Sequence, residues 1–127
     1  MNDSELRAFF DSYGQAFLKT PGDIADFYAA PCITARQGQV RLNATRADVE
    51  AFFADVLKRY RAQGFTGGEI KTFESTSLGR NSAAVTIKWA YKDASGNVLW
   101  DWTFTYNLYN CHDGWKILLQ TLHDSAP

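Results

Sequence analysis

Alternation of large apolar and small polar residues dominates the C-terminal half of the chain. From Trp100 to Leu108 every second residue is bulky (Trp100, Trp102, Phe104, Tyr106, Leu108), and Asp101, Thr103, Thr105 and Asn107 stand between them. Successive side chains of a strand point to opposite faces, so this run predicts a strand with one aromatic face and one hydroxyl-rich face. Ala83 to Tyr91 alternates in the same way and predicts a strand ending near Lys92. Trp115 to His123 predicts another, in which His123 shares the phase of Trp115, Ile117, Leu119 and Thr121. Asp93-Ala94-Ser95-Gly96-Asn97 and Asp113-Gly114 supply the turns between them. A polar, Thr- and Ser-rich strand from Glu69 to Leu78 precedes them, closed by a turn at Gly79-Arg80-Asn81.

The N-terminal half switches to helical spacing. Leu6, Phe9, Phe10, Tyr13, Ala16 and Phe17 form one stripe of a helix from Ser4 to Lys19, capped by Asp3 or Ser4 and ended by Pro21-Gly22. Asp23, with Asp26 three residues on, predicts a short helix from Ile24 to Ala29 closed by Pro31. Cys32–Arg36 and Gln39–Leu42 read as a hairpin turning at Gln37-Gly38. Thr45 and Asp48 form a capping box for a third helix carrying Val49, Phe52, Phe53, Val56, Leu57 and Tyr60, with Gly64 as its stop. Helices first and long strands last imply an α+β layer pair, a curved antiparallel sheet with three N-terminal helices on its concave face.

Composition narrows this picture without redirecting it. The 127 residues suit a single domain, and 13 Lys and Arg against 14 Asp and Glu leave no basic stripe for nucleic acid. No apolar run reaches the ~20 residues that would span a membrane, and the polar start Met1-Asn2-Asp3-Ser4-Glu5 is unlike a signal peptide, so a cytoplasmic location is expected. Cys32 and Cys111, far apart and outside any metal-ligand spacing, read as free thiols. No metal or cofactor motif is present; Gly67-Gly68 lacks the lysine and the strand-to-helix setting of a phosphate loop.

The order of elements, together with Tyr106-Asn107-Leu108-Tyr109-Asn110-Cys111-His112-Asp113-Gly114-Trp115-Lys116-Ile117, resembles the NTF2-like superfamily. That superfamily has a cone-shaped, cystatin-like fold shared by nuclear transport factor 2, ketosteroid isomerase, scytalone dehydratase and SnoaL-type cyclases. The resemblance covers nearly the whole chain and implies a pocket between the concave sheet face and the helices. Its expected lining is Tyr13 and Phe17 from the first helix, Tyr28 from the second and Phe53 or Leu57 from the third. From the sheet it takes Trp89, Tyr91, Trp102, Phe104 and Tyr106, with His123 at the pocket mouth.

Isomerase-like members of the superfamily set a carboxylate base at the start of the first strand beside a helix tyrosine. Tyr13 matches the tyrosine by position, but where relatives carry the acid this chain reads Tyr28-Ala29-Ala30-Pro31-Cys32-Ile33. Pro31-Cys32 is no base at neutral pH unless the thiol pKa is strongly depressed. The departure favours a binder of a small apolar or aromatic ligand over a proton-transfer enzyme. In the latter, an isomerase, dehydratase or cyclase, Tyr13 and His123 would take the acid/base roles. A protein-interaction adaptor is the third class. Relatives commonly pair sheet to sheet, and the face carrying Thr86, Lys88, Thr103, Thr105, Asn107 and Tyr109 is expected to form a homodimer.

Overall fold

Local signals in the sequence account for most elements of the computed structural model, which describes residues 1–124. Helix α1 (Asp3–Ala16) starts from a capping box in which the Asn2 side chain accepts from the Glu5 N–H, one residue before the expected cap, and it stops before Lys19. Helix α2 (Pro21–Ala25) starts earlier than the sequence suggests. Thr20 is its N-cap, Pro21 occupies the first turn, where its missing N–H costs nothing, and Asp23 serves as the partner inside the box. The helix therefore ends before Tyr28, which opens strand β1 (Tyr28–Arg36) and is not helical.

Strand β2 (Gln39–Asn43) follows through a tight turn in which Gln37 and Gly38 both have positive φ, 53° and 79°. Such a turn matches the twist of the paired strands. Helix α3 (Arg46–Ala62) has the expected Thr45–Asp48 box, and Gly64 turns the chain after it with φ of 95°. Strands β3 (Gly67–Ser77), β4 (Ser82–Lys92), β5 (Val98–Cys111) and β6 (Gly114–Leu122) form a meander.

The six strands make one sheet in the order β2-β1-β6-β5-β4-β3, with β1 parallel to β6 and every other pair antiparallel. The sheet is curved and open, and the helices cover its concave face. Phe10 of α1 packs 4.8 Å from Tyr106, and Tyr60 of α3 lies 5.4 Å from Tyr91 and 5.3 Å from Trp100, measured between ring centroids. The register Val85↔Tyr106, Ile87↔Phe104, Trp89↔Trp102 and Tyr91↔Trp100 puts the bulky face of β5 beside that of β4 on this inner side. Among the described residues no helix is long and apolar enough to cross a membrane.

Two irregularities matter for the site. The β1–β6 pairing shifts between Tyr28 and Ile33, a stretch containing Pro31, which has no N–H to offer the ladder. The β5–β6 pairing shifts between Asn107 and Leu108, whose partners are Leu119 and Ile117, so Leu118 is an extra residue on β6. Beyond it the alternation changes phase: Gln120 and Leu122 are buried on the inner face, and Leu119, Thr121 and His123 turn outward.

Candidate functional site

The concave face closes over a small cavity of about 20 Å³, and seven of the residues expected from sequence line it. Tyr13 and Phe17 come from α1 and Phe53 from α3; Trp89, Tyr91, Phe104 and Tyr106 come from the sheet. Gly14 completes the α1 wall. A Cβ there would stand 3.2 Å from the Trp89 ring, so the absence of a side chain lets the indole press against the helix. The volume is room for about one water and no more, because rings interlock across the space. Tyr13 alone has ring neighbours Phe10, Phe17, Phe27, Tyr28, Trp89 and Tyr106 at 5.1–6.3 Å.

Tyr28 and Trp102 stand next to the cavity without lining it. The Tyr28 hydroxyl lies 2.7 Å from that of Tyr13 and accepts from Gln120 Nε2 at 2.9 Å. Trp102 packs outside the lining, 6.2 Å from Tyr60 and 6.0 Å from Tyr91. His123 is not at the pocket mouth. The extra residue in β6 turns it to the outer face, where Nε2 lies 2.7 Å from Thr105 Oγ1, itself 2.8 Å from Thr86 Oγ1.

The structure adds residues that were not expected in the lining. Arg36, Tyr60, Phe65 and Gln120 all line the cavity. Arg36 follows Thr34 and Cys32 on the inner phase of β1, a signal present in the sequence but masked by the habit of placing charged residues outside. Its guanidinium donates from Nη2 to the Tyr60 hydroxyl at 3.0 Å and lies 5.5–5.7 Å from the ring centres of Phe52, Trp102 and Phe104. Tyr60 was legible as part of the α3 stripe, though not as a partner for a cation.

Several of these groups are incompletely bonded. Gln120 Oε1 is buried without a partner among the described residues, and exchanging the two ends of the amide would only make the nitrogen the unpaired atom. Tyr13 and Tyr28 share one hydrogen bond, so between them one phenolic proton has no acceptor among the bonds of the described residues. Trp89 is satisfied by Tyr106: the indole N–H donates to the phenol oxygen at 2.9 Å. Burial, first of all, raises the pKa of Tyr13, Tyr28, Tyr91 and Tyr106 well above the ordinary phenol value, so these hydroxyls remain neutral donors.

No carboxylate or histidine is among the residues lining the cavity. Cys32, beside Pro31 in the stretch where the sequence offered no carboxylate, is buried with Asn43 Nδ2 3.9 Å from its sulfur, and burial pushes its thiol pKa up, away from the thiolate a nucleophile or base needs. The walls therefore offer apolar rings, hydrogen-bond donors and one cation, while a base for proton abstraction is missing from them.

A family profile described as NTF2-like protein (DUF6841) matches residues 4–125, and the chain belongs to that family. Solved structures agree on the fold. An NTF-2 like protein of unknown function from Shewanella oneidensis MR-1 superposes with a TM-score of 0.74 at 18% identity, covering 98% of this chain and 100% of that one. An NTF2-like protein with a cystatin-like fold from Novosphingobium aromaticivorans gives 0.72 at 17% identity, with 97% and 82% covered. A putative calcium/calmodulin dependent protein kinase II association domain from Xanthomonas campestris gives 0.71 at 20%, with 99% and 91% covered. Among curated proteins none matches the sequence.

Proposed function

We propose that this NTF2-like domain is a small-molecule binder that takes an apolar or aromatic ligand at its concave aromatic face. The observation that carries the reading is the convergence of incompletely bonded polar groups (Gln120, the Tyr13–Tyr28 pair and Arg36) on an otherwise aromatic wall. A few polar tips in an apolar lining are what orient a ligand. The cavity must widen to admit one. Phe17 and Phe65 separate it from an outer groove of about 300 Å³ that also involves Leu18 and Thr66, and Phe17 is only half-buried, so rotation of these rings would join the two spaces. The absence of a carboxylate from the lining supports a binder over the isomerase, dehydratase or cyclase alternative.

A thermal-shift screen of aromatic compounds tests this directly. A ligand at 100 times its Kd should add about 2.7 kcal/mol to stability. Tryptophan emission should change as well, because Trp89 lines the cavity and Trp102 stands at its edge. Tyr13→Phe should weaken binding by about 0.5–1.5 kcal/mol if the phenol bonds the ligand. Should no compound shift either signal at millimolar concentration, the binder reading is lost.

We also propose that the outer sheet face joins two copies of the chain. Ile33, Val40 and Leu42 are 38%, 78% and 64% exposed, and the register Ile33↔Leu42 and Ile33↔Leu119 sets them on one patch beside the threonines and His123. Contiguous apolar surface of this kind is uncommon on a monomer. Sedimentation at micromolar concentration should give twice the 14.3 kDa chain mass, and Leu42→Lys should return the single-chain value. A wild-type protein that sediments as one chain rules the dimer out.

A further inference from the structure

The β1–β2 hairpin and α3 enclose a second space, a groove of about 340 Å³ that shares Arg36 with the aromatic cavity. Its charge follows from strand geometry. Thr34 and Arg36 are two residues apart on β1 and so share a face, and Thr34 is the register partner of Arg41 on β2. The hairpin thereby brings two guanidinium groups and a hydroxyl together. Both guanidinium carbons lie over the same ring, that of Phe52, at 5.7 Å for Arg36 and 5.4 Å for Arg41.

These cations lack a counter-charge. The groove's acid, Asp55, is bonded to its third arginine, Arg59, at 3.1 Å. Among the described residues no carboxylate pairs with Arg36 or Arg41. A guanidinium has five N–H donors. Among side-chain bonds of the described residues, Arg36 uses a donor on Tyr60 and Arg41 one on Asn43. Thr34, 1% exposed, has a hydroxyl with no partner among the described residues, although it lines the same groove. An unpaired buried hydroxyl is destabilising, and two like charges over one ring repel, so the arrangement is incomplete by itself. An oxyanion between them would accept from all three.

From this convergence we infer that the groove is an anion subsite, and that the ligand of this protein is an aryl or other apolar carboxylate. Its carboxylate is held by Arg36, Arg41 and Thr34, and its apolar body runs past Arg36 onto the aromatic face. The inference rests on the binder reading above and names the chemical class of that ligand. A planar carboxylate matches the fork of donors an arginine presents, and Phe52, Trp102 and Phe104 supply the apolar surface beside it.

Calorimetric titration of the full chain with naphthoate, with the neutral naphthalenemethanol and with inorganic phosphate tests it. Naphthoate should bind at least about tenfold tighter than the alcohol, since a charge-assisted pair is the stronger bond. Arg36→Gln and Arg41→Gln should each weaken the acid by a larger factor than the alcohol, removing most of that advantage, and Thr34→Val should reduce it by a smaller factor. Arg41 is exposed, so its variant tests the subsite even if Arg36→Gln fails to fold. Acid and alcohol binding equally, in wild type and variants alike, would overturn the anion subsite and leave the binder reading standing. Neither naphthyl compound binding would overturn both. Phosphate binding as tightly as naphthoate would overturn the assignment to an apolar carboxylate.

Discussion

Phe53→Ala should cost about 3–5 kcal/mol of folding stability, read as a lower denaturation midpoint with an unchanged denaturant slope. Phe53 is 1% exposed, and its ring lies 5.0 Å from those of Tyr28 and Phe52 and 5.9 Å from Phe17. Truncation removes the contacts that tie α3 to both β1 and α1. A domain of this kind holds about 5–15 kcal/mol in total, so the variant would stand near the margin of folding. Phe53→Leu, which keeps most of the volume, should lose distinctly less. The void left by alanine would merge with the neighbouring cavity, so the surviving folded protein should bind small apolar molecules more tightly than the wild type does. A loss below about 1 kcal/mol would mean that the aromatic face repacks freely, contrary to the interlocked rings described above.

Alkaline pH should unfold the protein cooperatively, and the buried tyrosines should ionise only as it does so. Burial raises the pKa of Tyr13, Tyr28, Tyr91 and Tyr106 well above 10.0 in the folded state. A group whose folded pKa lies above its unfolded value contributes stability that is complete below the unfolded pKa and is lost as pH rises toward the folded one. The window therefore opens at about pH 10, and each such phenol can lower stability by up to about 1.4 kcal/mol per further pH unit. Ultraviolet difference spectra recorded alongside circular dichroism would check the coincidence. Ionisation of these tyrosines near pH 10 with the native circular dichroism retained would contradict the burial.

Much of the fold was legible because its signals are local. The Thr45–Asp48 box, the α3 stripe from Val49 to Tyr60 and the alternation of β4 and β5 each involve residues a few positions apart, and the structure keeps them all. Misreadings fell where two local signals competed. Asp23 is a good cap, but Thr20 followed by Pro21 is a better start, and the earlier helix released Tyr28 into β1. The expected lining was legible in the same local way, since Tyr13, Phe17, Phe53, Trp89, Tyr91, Phe104 and Tyr106 each lie on the apolar phase of an element.

What periodicity could not supply was the behaviour of β6 and β1 in three dimensions. The extra Leu118 is recognisable only through the partners Asn107↔Leu119 and Leu108↔Ile117, and it decides that Gln120 faces inward while His123 faces out. Arg36 is a charged residue on an inner phase, tolerable there only because Tyr60 and three rings from distant elements surround its guanidinium. The pairing of Arg41 with Thr34, and the closing of the cavity to about the size of one water, likewise belong to long-range register and volume. By itself, then, the sequence determined the elements, the burying face of most of them and the layer arrangement, because helix and strand periods depend on neighbouring residues alone. The tertiary structure decided which polar groups meet inside and how much space remains between the rings, because both depend on side chains far apart in the chain.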